Sequence, residues 1–308
     1  MSGRDGNAEI YGMNADGSGQ TRLTSDPAND DKPVWGGNKI AMHSMSGGSL
    51  AIWIIDPDGT GLTRLTSPGG SDQMPSWSPD GTKIAFTRWV GTANDICVMN
   101  ADGSGQTNLT NNAAADYDAC WSPDGLKLAF VSARNDSRDE IYSMDVDGSN
   151  VTRLTNSAGG NIWPDWSPDG AKIAFGTGPT VDIYVMDADG SNITRLTDNT
   201  WMDGEPRWSP DGGKILFFSA RTGDYEISKM NADGSGETRL TYDSGIDYNA
   251  CWSPDGRNIA FAGIQGGADF EIYVMGADGS RLRRLTNFNA GTRWPSWRHR
   301  ARLSSVGY

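Results

Sequence analysis

An internal repeat constrains this chain more than any other feature. A tryptophan recurs at Trp35, Trp77, Trp121, Trp166, Trp208, Trp252 and Trp297, in steps of 42, 44, 45, 42, 44 and 45 residues. An Asp-Gly pair keeps the same rhythm, from Asp16-Gly17 and Asp58-Gly59 to Asp233-Gly234 and Asp278-Gly279. Two independent markers with one spacing define seven units, and a period of 40–45 residues is the signature of a stacked array rather than of a single irregular core.

Each full unit reads as four short strands. The first ends at the tryptophan. Ser-Pro-Asp-Gly follows, as at Ser78–Gly81 and Ser122–Gly125. Proline presets φ at the second position of such a turn, and glycine accepts a positive φ at its end. Lys-Ile-Ala-Phe, as at Lys83–Phe86, is the second strand, and Ile-Tyr-Val-Met, as at Ile183–Met186, is the third. An Asp-Gly turn then leads to Thr-Arg-Leu-Thr, as at Thr194–Thr197. Short β-rich runs split by such turns are antiparallel hairpins. A four-stranded sheet this small cannot bury both faces alone, so copies must stack around an axis. The fold class predicted is all-β: a seven-bladed β-propeller of four-stranded antiparallel blades. The recurring tryptophans are assigned a structural role as fillers between blades, each worth about 2–3 kcal/mol when buried.

The blades are expected at about residues 25–66, 67–110, 111–155, 156–197, 198–241 and 242–286, with the seventh joining 287–308 to 1–24. Trp297 opens a unit that the C-terminal residues do not complete, whereas Glu9-Ile10-Tyr11 matches a third strand and Thr21–Thr24 a fourth. The last blade is therefore predicted to be built from both ends of the chain, with Arg302–Val306 as a second strand. The step pattern also occurs twice. Asp116–Trp121 matches Asp247–Trp252 more closely than it matches its neighbours, which suggests duplication of a three-blade block.

Composition narrows the partners. The formal net charge is −13, with 39 acidic against 26 basic residues. Phosphate binding needs a basic surface, so nucleic acid is a poor fit. No apolar run is long enough to span a bilayer, and no apolar signal segment is visible at MSGRDGNAEI. Three cysteines, Cys97, Cys120 and Cys251, do not make a disulfide framework. They are expected to be small buried side chains, and the chain to be monomeric.

The repeated strings Trp-Ser-Pro-Asp-Gly, Lys-Ile-Ala-Phe, Ile-Tyr-Val-Met-Asp-Ala-Asp-Gly and Thr-Arg-Leu-Thr resemble the TolB-type propeller repeat over essentially the whole chain. The resemblance implies a binding platform for a protein or peptide, in a periplasmic or extracytoplasmic setting. The extra N-terminal domain that TolB carries is not seen here. Similar repeats also occur in the non-catalytic propellers of prolyl-oligopeptidase-type enzymes and in some polysaccharide lyases.

A search for chemistry finds little catalytic equipment. There is no Gly-x-Ser-x-Gly, and the two histidines, His43 and His299, cannot supply a multi-histidine zinc site. The chain is expected not to be an enzyme and to require no cofactor. The Asp-x-Asp-Gly strings lack the other positions of a calcium loop and read as turns.

The loop entering each first strand is more informative. Five residues before each tryptophan stand Asp30, Asp72, Asp116, Asn161, Asp203, Asp247 and Thr292. This near-ring of carboxylates could hold a divalent cation such as calcium at the mouth of the channel, with Asp72, Asp116, Asp203 and Asp247 as ligands; alternatively each Asp bonds its own loop. The next two positions vary from unit to unit: Asp31-Lys32, Gln73-Met74, Tyr117-Asp118, Ile162-Trp163, Gly204-Glu205, Tyr248-Asn249 and Arg293-Trp294. Variation on a constant frame is what a binding mouth on a rigid scaffold shows. The residues expected to bind a partner are Asp72, Tyr117, Asp118, Trp163, Asp203, Glu205, Tyr248, Asn249, Arg293 and Trp294. A carbohydrate ligand, stacked on the aromatics, and a purely structural module are the other readings.

Overall fold

The computed structural model describes residues 1–67, 70–135, 137–178, 180–266, 269–287 and 291–298. It is a propeller. Six four-stranded antiparallel sheets follow one another along the chain, each formed by four consecutive strands. Blade 3 is representative: its strands are Asp116–Trp121, Lys127–Ser132, Glu140–Asp145 and Thr152–Arg153, paired in that order. The strands that end at the tryptophans of the other blades are Asp30–Gly36, Asp72–Trp77, Asn161–Trp166, Asp203–Trp208 and Asp247–Trp252.

Among the described residues six blades are complete, which corrects the expectation of seven. What remains of the seventh unit is a two-stranded sheet, Tyr11–Gly12 with Thr21–Arg22, and isolated bridges joining Ser2 to Glu9 and to Thr292. Among the described residues Ser2 meets Glu9 and Thr292 through single bridges, which do not extend into a full ladder. The proposed strand Arg302–Val306 and His299 lie outside the described residues. The partial unit nevertheless touches both of its neighbours. Ile10 and Leu23 pack with Ile40, Met42 and Ile55 of blade 1. On the other side, the Gln20 amide donates to the Leu285 carbonyl and Arg283 donates to the Ala15 carbonyl, both from the end of blade 6.

Turn chemistry explains why the blades form where they do. In the Ser-Pro-Asp-Gly turn of blade 2, the Ser78 hydroxyl donates to Asp80 Oδ1 at 2.6 Å and accepts from the Lys83 amide at 2.9 Å. Gly81 supplies the positive φ, 71°. The Asp-Gly turns close in a similar way: Asp189 Oδ1 accepts from both the amide and the hydroxyl of Ser191. They are turns, as the sequence predicts, and their carboxylates are occupied locally.

The core is a set of inter-blade layers rather than one central mass. Ile84, Phe86, Cys97 and Met99 of blade 2 pack with Ala41, Ile52, Ile54 and Leu65 of blade 1, and the same pattern repeats around the ring. The tryptophans sit in these layers. Four of them also bond the preceding unit: the indole N–H groups of Trp77, Trp121, Trp252 and Trp297 donate to the carbonyls of Val34, Ser76, Arg207 and Cys251. A filler that also satisfies a carbonyl of the neighbouring strand sets the spacing of blades as well as their contact. Among the described residues no helix is long and apolar enough to cross a membrane.

Candidate functional site

Each strand that ends at a tryptophan contains one irregularity. Its pairing to the second strand slips between Asp31 and Val34, Gln73 and Ser76, Tyr117 and Cys120, Ile162 and Asp165, Gly204 and Arg207, and Tyr248 and Cys251. At the centre of each bulge the residue three before the tryptophan is left-handed. The φ values are 49° at Lys32, 55° at Met74, 53° at Asp118, 58° at Trp163, 53° at Glu205 and 52° at Asn249. Trp294 of the seventh unit has φ 57°, so that unit keeps the same device. A proline or alanine follows each of them, from Pro33 to Pro295. Left-handed backbone costs a residue with a Cβ about 1 kcal/mol or more, and bulges re-aim side chains. Seven side chains of six different kinds therefore stand on one strained backbone.

Lys32, Asp118 and Glu205 from these positions, and Asp165 and Arg207 from the position just before a tryptophan, converge near the axis. Burial pushes the Asp118 carboxyl above its ordinary value, while Lys32 of blade 1 and Arg207 of blade 5 pull it down. Each of these residues lies two blades from Asp118, so they share the central channel. Arg207 is desolvated yet its side chain is 42% exposed, the combination expected of a group lining an aqueous passage. Asp165 and Glu205 outweigh the desolvation and hold Arg207 in its charged form. Asp165 accepts from the Trp208 amide at 2.8 Å and lies 3.6 Å from Arg207.

The rim is laced between units. Asn249 donates to Glu205 through its amide N–H and its Nδ2, at 3.2–3.3 Å. Lys32 Nζ lies 4.3 Å above the Trp294 ring, and Tyr248 meets that ring edge-on at 6.4 Å. Arg293 is exposed and stacks on Phe270 at 4.4 Å. Trp163 leans on Phe218 of blade 5 over Gly204, where a Cβ would come within 2.6 Å of the indole. Burial first, and then the nearby Asp139 carboxylate, push the Tyr117 hydroxyl pKa up. His43 is partly buried and its Nδ1 accepts from the Met74 amide at 3.4 Å.

The structure thus brings Asp118 near Lys32 and Arg207, and gathers Glu205, Tyr248, Asn249, Arg293 and Trp294 along the rim, whereas Tyr117 and Trp163 pack into the inter-blade layers. Sequence reading missed Asp165 and Arg207 as channel residues. The available signal was a pair of charges just before Trp166 and Trp208, where other units have Val34, Ser76, Cys120, Cys251 or Ser296.

Asp72, Asp116, Asp203 and Asp247 lie elsewhere. All four are fully buried in the seams between blades. Each seam is organised by the third strand of the preceding blade. Glu140, which opens such a strand, takes Thr155 Oγ1 at 2.5 Å and Arg153 at 2.9 Å, while Thr155 accepts from the Ile141 amide. Asn161 then donates to Glu140 at 2.6 Å from the next blade. Asp72 is clasped by Arg88 through two bonds of 2.7 and 2.9 Å. Asp116 takes Asn112 and Arg134, and Asp203 takes Asn199 and Arg221.

Asp30 has no arginine. Burial first, and then Asp26 and Glu9, raise its pKa to about 6, against the nearby Ser44 and Thr24 hydroxyls. The folded state therefore favours protonated Asp30. The stability this contributes is full below about pH 4 and is lost as pH rises through 6. Asp30→Asn copies the arrangement of Asn161. We expect it to match the wild type near pH 4 and to exceed it near pH 8 by roughly 2–3 kcal/mol in denaturant unfolding. The same difference at both pH values would refute the raised pKa.

All three cysteines are free. Cys97 is buried, but Cys120 and Cys251 are only partly so, which corrects the expectation that all three are buried. Burial pushes the Cys120 and Cys251 thiols up, Cys251 to about 12. Neither forms a ready thiolate.

Comparisons with known proteins agree with this architecture. A structure assigned as TolB from Agrobacterium tumefaciens is 26% identical, with a TM-score of 0.62 over 77% of this chain and 89% of that one. TolB from Acinetobacter baumannii is 20% identical, with a TM-score of 0.58 over 84% and 68%. An oligogalacturonate lyase in complex with manganese shares the fold at 16% identity and a TM-score of 0.71, over 90% and 84%. No curated protein matches the sequence significantly. The TolB beta propeller domain matches residues 1–90, 70–180 and 155–303, so the chain belongs to that family.

Proposed function

We propose that the chain is a non-catalytic scaffold that binds a protein or peptide at the left-handed rim of its channel. The observation that carries this reading is the ring at Lys32, Met74, Asp118, Trp163, Glu205, Asn249 and Trp294: one costly backbone geometry carrying six different kinds of side chain at seven positions. Strain is kept where it aims groups at a ligand. The rim combines aromatic anchors with charges of both signs, which suits an extended peptide of mixed charge more than a polyanion. The raised thiol pKa values of Cys120 and Cys251 support a role without nucleophilic chemistry. The resemblance to TolB supports an extracytoplasmic setting. The partial seventh unit, touching blades 1 and 6, is proposed to close the ring and keep the channel rigid.

The test is selection of a random peptide library against the immobilised full chain, followed by calorimetry on the winners. Peptides that bind the rim should lose tenfold or more in affinity with Trp294→Ala and with Asp118→Ala, on the scale of about 1.4 kcal/mol each. Selected peptides indifferent to both substitutions would overturn the proposal. Binding of oligogalacturonides, sensitive to the same changes, would favour the carbohydrate reading instead.

A further inference from the structure

The inter-blade seams are copies of one another, so each serves as a control for the rest. At the seam between blades 2 and 3, Asn112 and Arg134 meet Asp116. At the seam between blades 4 and 5, Asn199 and Arg221 meet Asp203. Between blades 5 and 6 both of those positions have changed. Asp243 stands where Asn112 and Asn199 stand, and Gln265 where Arg134 and Arg221 stand. Gly263 also replaces Ser132 and Ser219 as the pairing partner of the buried aspartate.

The result is three carboxylates, Glu226, Asp243 and Asp247, with oxygens within 4.8 Å of one another. Glu226 has one cation, Arg239 at 2.6 Å, and the Thr241 hydroxyl at 2.5 Å. Asp243 accepts from the Gly245 amide. Asp247 is fully buried; its Oδ2 has only a long contact from Gln265 at 3.4 Å, and its Oδ1 has no hydrogen-bond partner. That oxygen points into room left by the missing serine, since a Cβ on Gly263 would lie 2.1 Å from it. The seam before blade 1 has a similar acid content, in Glu9, Asp26 and Asp30. There the carboxylate oxygens do not converge in the same way among the described residues: the Asn7 amide donates to Glu9 Oε1 and to the Asp26 and Ala28 carbonyls, and neither Asp30 oxygen has a hydrogen-bond partner. In the seam between blades 5 and 6 the comparable amide, Gln265 Nε2, reaches Asp247 only at 3.4 Å.

We propose that the seam between blades 5 and 6 is a calcium site, with Glu226, Asp243 and Asp247 as carboxylate ligands. Three anions facing one guanidinium leave a net negative charge in a buried place, and a hard divalent cation offsets it with the oxygen donors present. The remaining coordination falls to water and nearby carbonyls. The site joins two blades, so the ion acts as a clamp between them. It lies outside the channel and is independent of the peptide-binding proposal.

Titration of the chelator-treated full chain with CaCl2 by calorimetry should give one site per chain and a rise in Tm. Asp243→Asn, which recreates the seams at Asn112 and Asn199, should fold and lose at least tenfold in calcium affinity. Asp26→Asn should leave calcium binding unchanged. Terbium, excited through the nearby Tyr225 and Tyr273, should luminesce with the wild type and be displaced by calcium. Absence of stoichiometric binding, or binding that survives Asp243→Asn, overturns the proposal.

Discussion

Removal of residues 1–24 is expected to abolish cooperative unfolding of the whole ring. That segment covers the outer side of blade 1, where Ile40, Met42 and Ile55 are buried against Ile10 and Leu23. Exposing these three side chains costs roughly 5–9 kcal/mol, comparable to the entire stability of many domains. The far side loses contact as well, since Gln20 and the Ala15 carbonyl bond the end of blade 6. Differential scanning calorimetry of the truncated chain should show a broad transition or none. The milder double change Ile10→Ala/Leu23→Ala keeps the backbone bridges and should lower stability by roughly 4–8 kcal/mol. If both variants melt like the wild type, the segment does not close the ring.

Arg88→Met is expected to be the most damaging single substitution of a charged residue in the seams. Arg88 neutralises Asp72, whose side chain is 1% exposed, through a two-pronged contact. Removing one partner strands a buried carboxylate, which typically costs 3–5 kcal/mol. Arg88 is itself 27% exposed, so water can reach part of the gap, and about 3 kcal/mol is the better figure. Adding Asp72→Asn should recover most of the loss, because the stranded charge is then gone. A double-mutant cycle by urea unfolding measures this directly. A loss of under 1 kcal/mol for Arg88→Met alone would show that the pair is not important for the seam.

The two predictions bear on different layers of what can be read from sequence. The blades are local objects. Four strands, three turns and the residues that shape them all fall within about 45 consecutive positions, and the chemistry of Ser78, Asp80 and Gly81 or of Asp189 and Ser191 acts over only a few residues. Repetition then makes the same weak local signal visible many times over. That is why the propeller, its antiparallel hairpins and the tryptophan layers are legible before any coordinates. The seventh unit is the exception: the pairing of Ser2 with Thr292 spans 290 residues, and local pattern does not measure how complete such a ladder becomes.

The loop before each tryptophan shows where that legibility ends. Variation at Lys32, Met74, Asp118, Trp163, Glu205, Asn249 and Trp294 marks a surface of interest, but no residue type announces a left-handed backbone shared by lysine, tryptophan and glutamate. The bulge arises from how the strand pairs with its neighbour, and the convergence of Asp118, Lys32 and Arg207 arises only when separate blades meet at the axis. The ring of aspartates separates in the same way. Asp72, Asp116, Asp203 and Asp247 look equivalent in sequence, yet Arg88, Arg134, Arg221 and Gln265 decide what each one is. The sequence by itself determined the repeat, the turns and the propeller, because those depend on contacts within one unit. Tertiary structure alone decided that six blades are complete among the described residues, that Asp118, Lys32 and Arg207 meet from three blades, and that Asp247, unlike Asp72, Asp116 and Asp203, has no arginine partner, because those depend on partners brought together from different strands and blades.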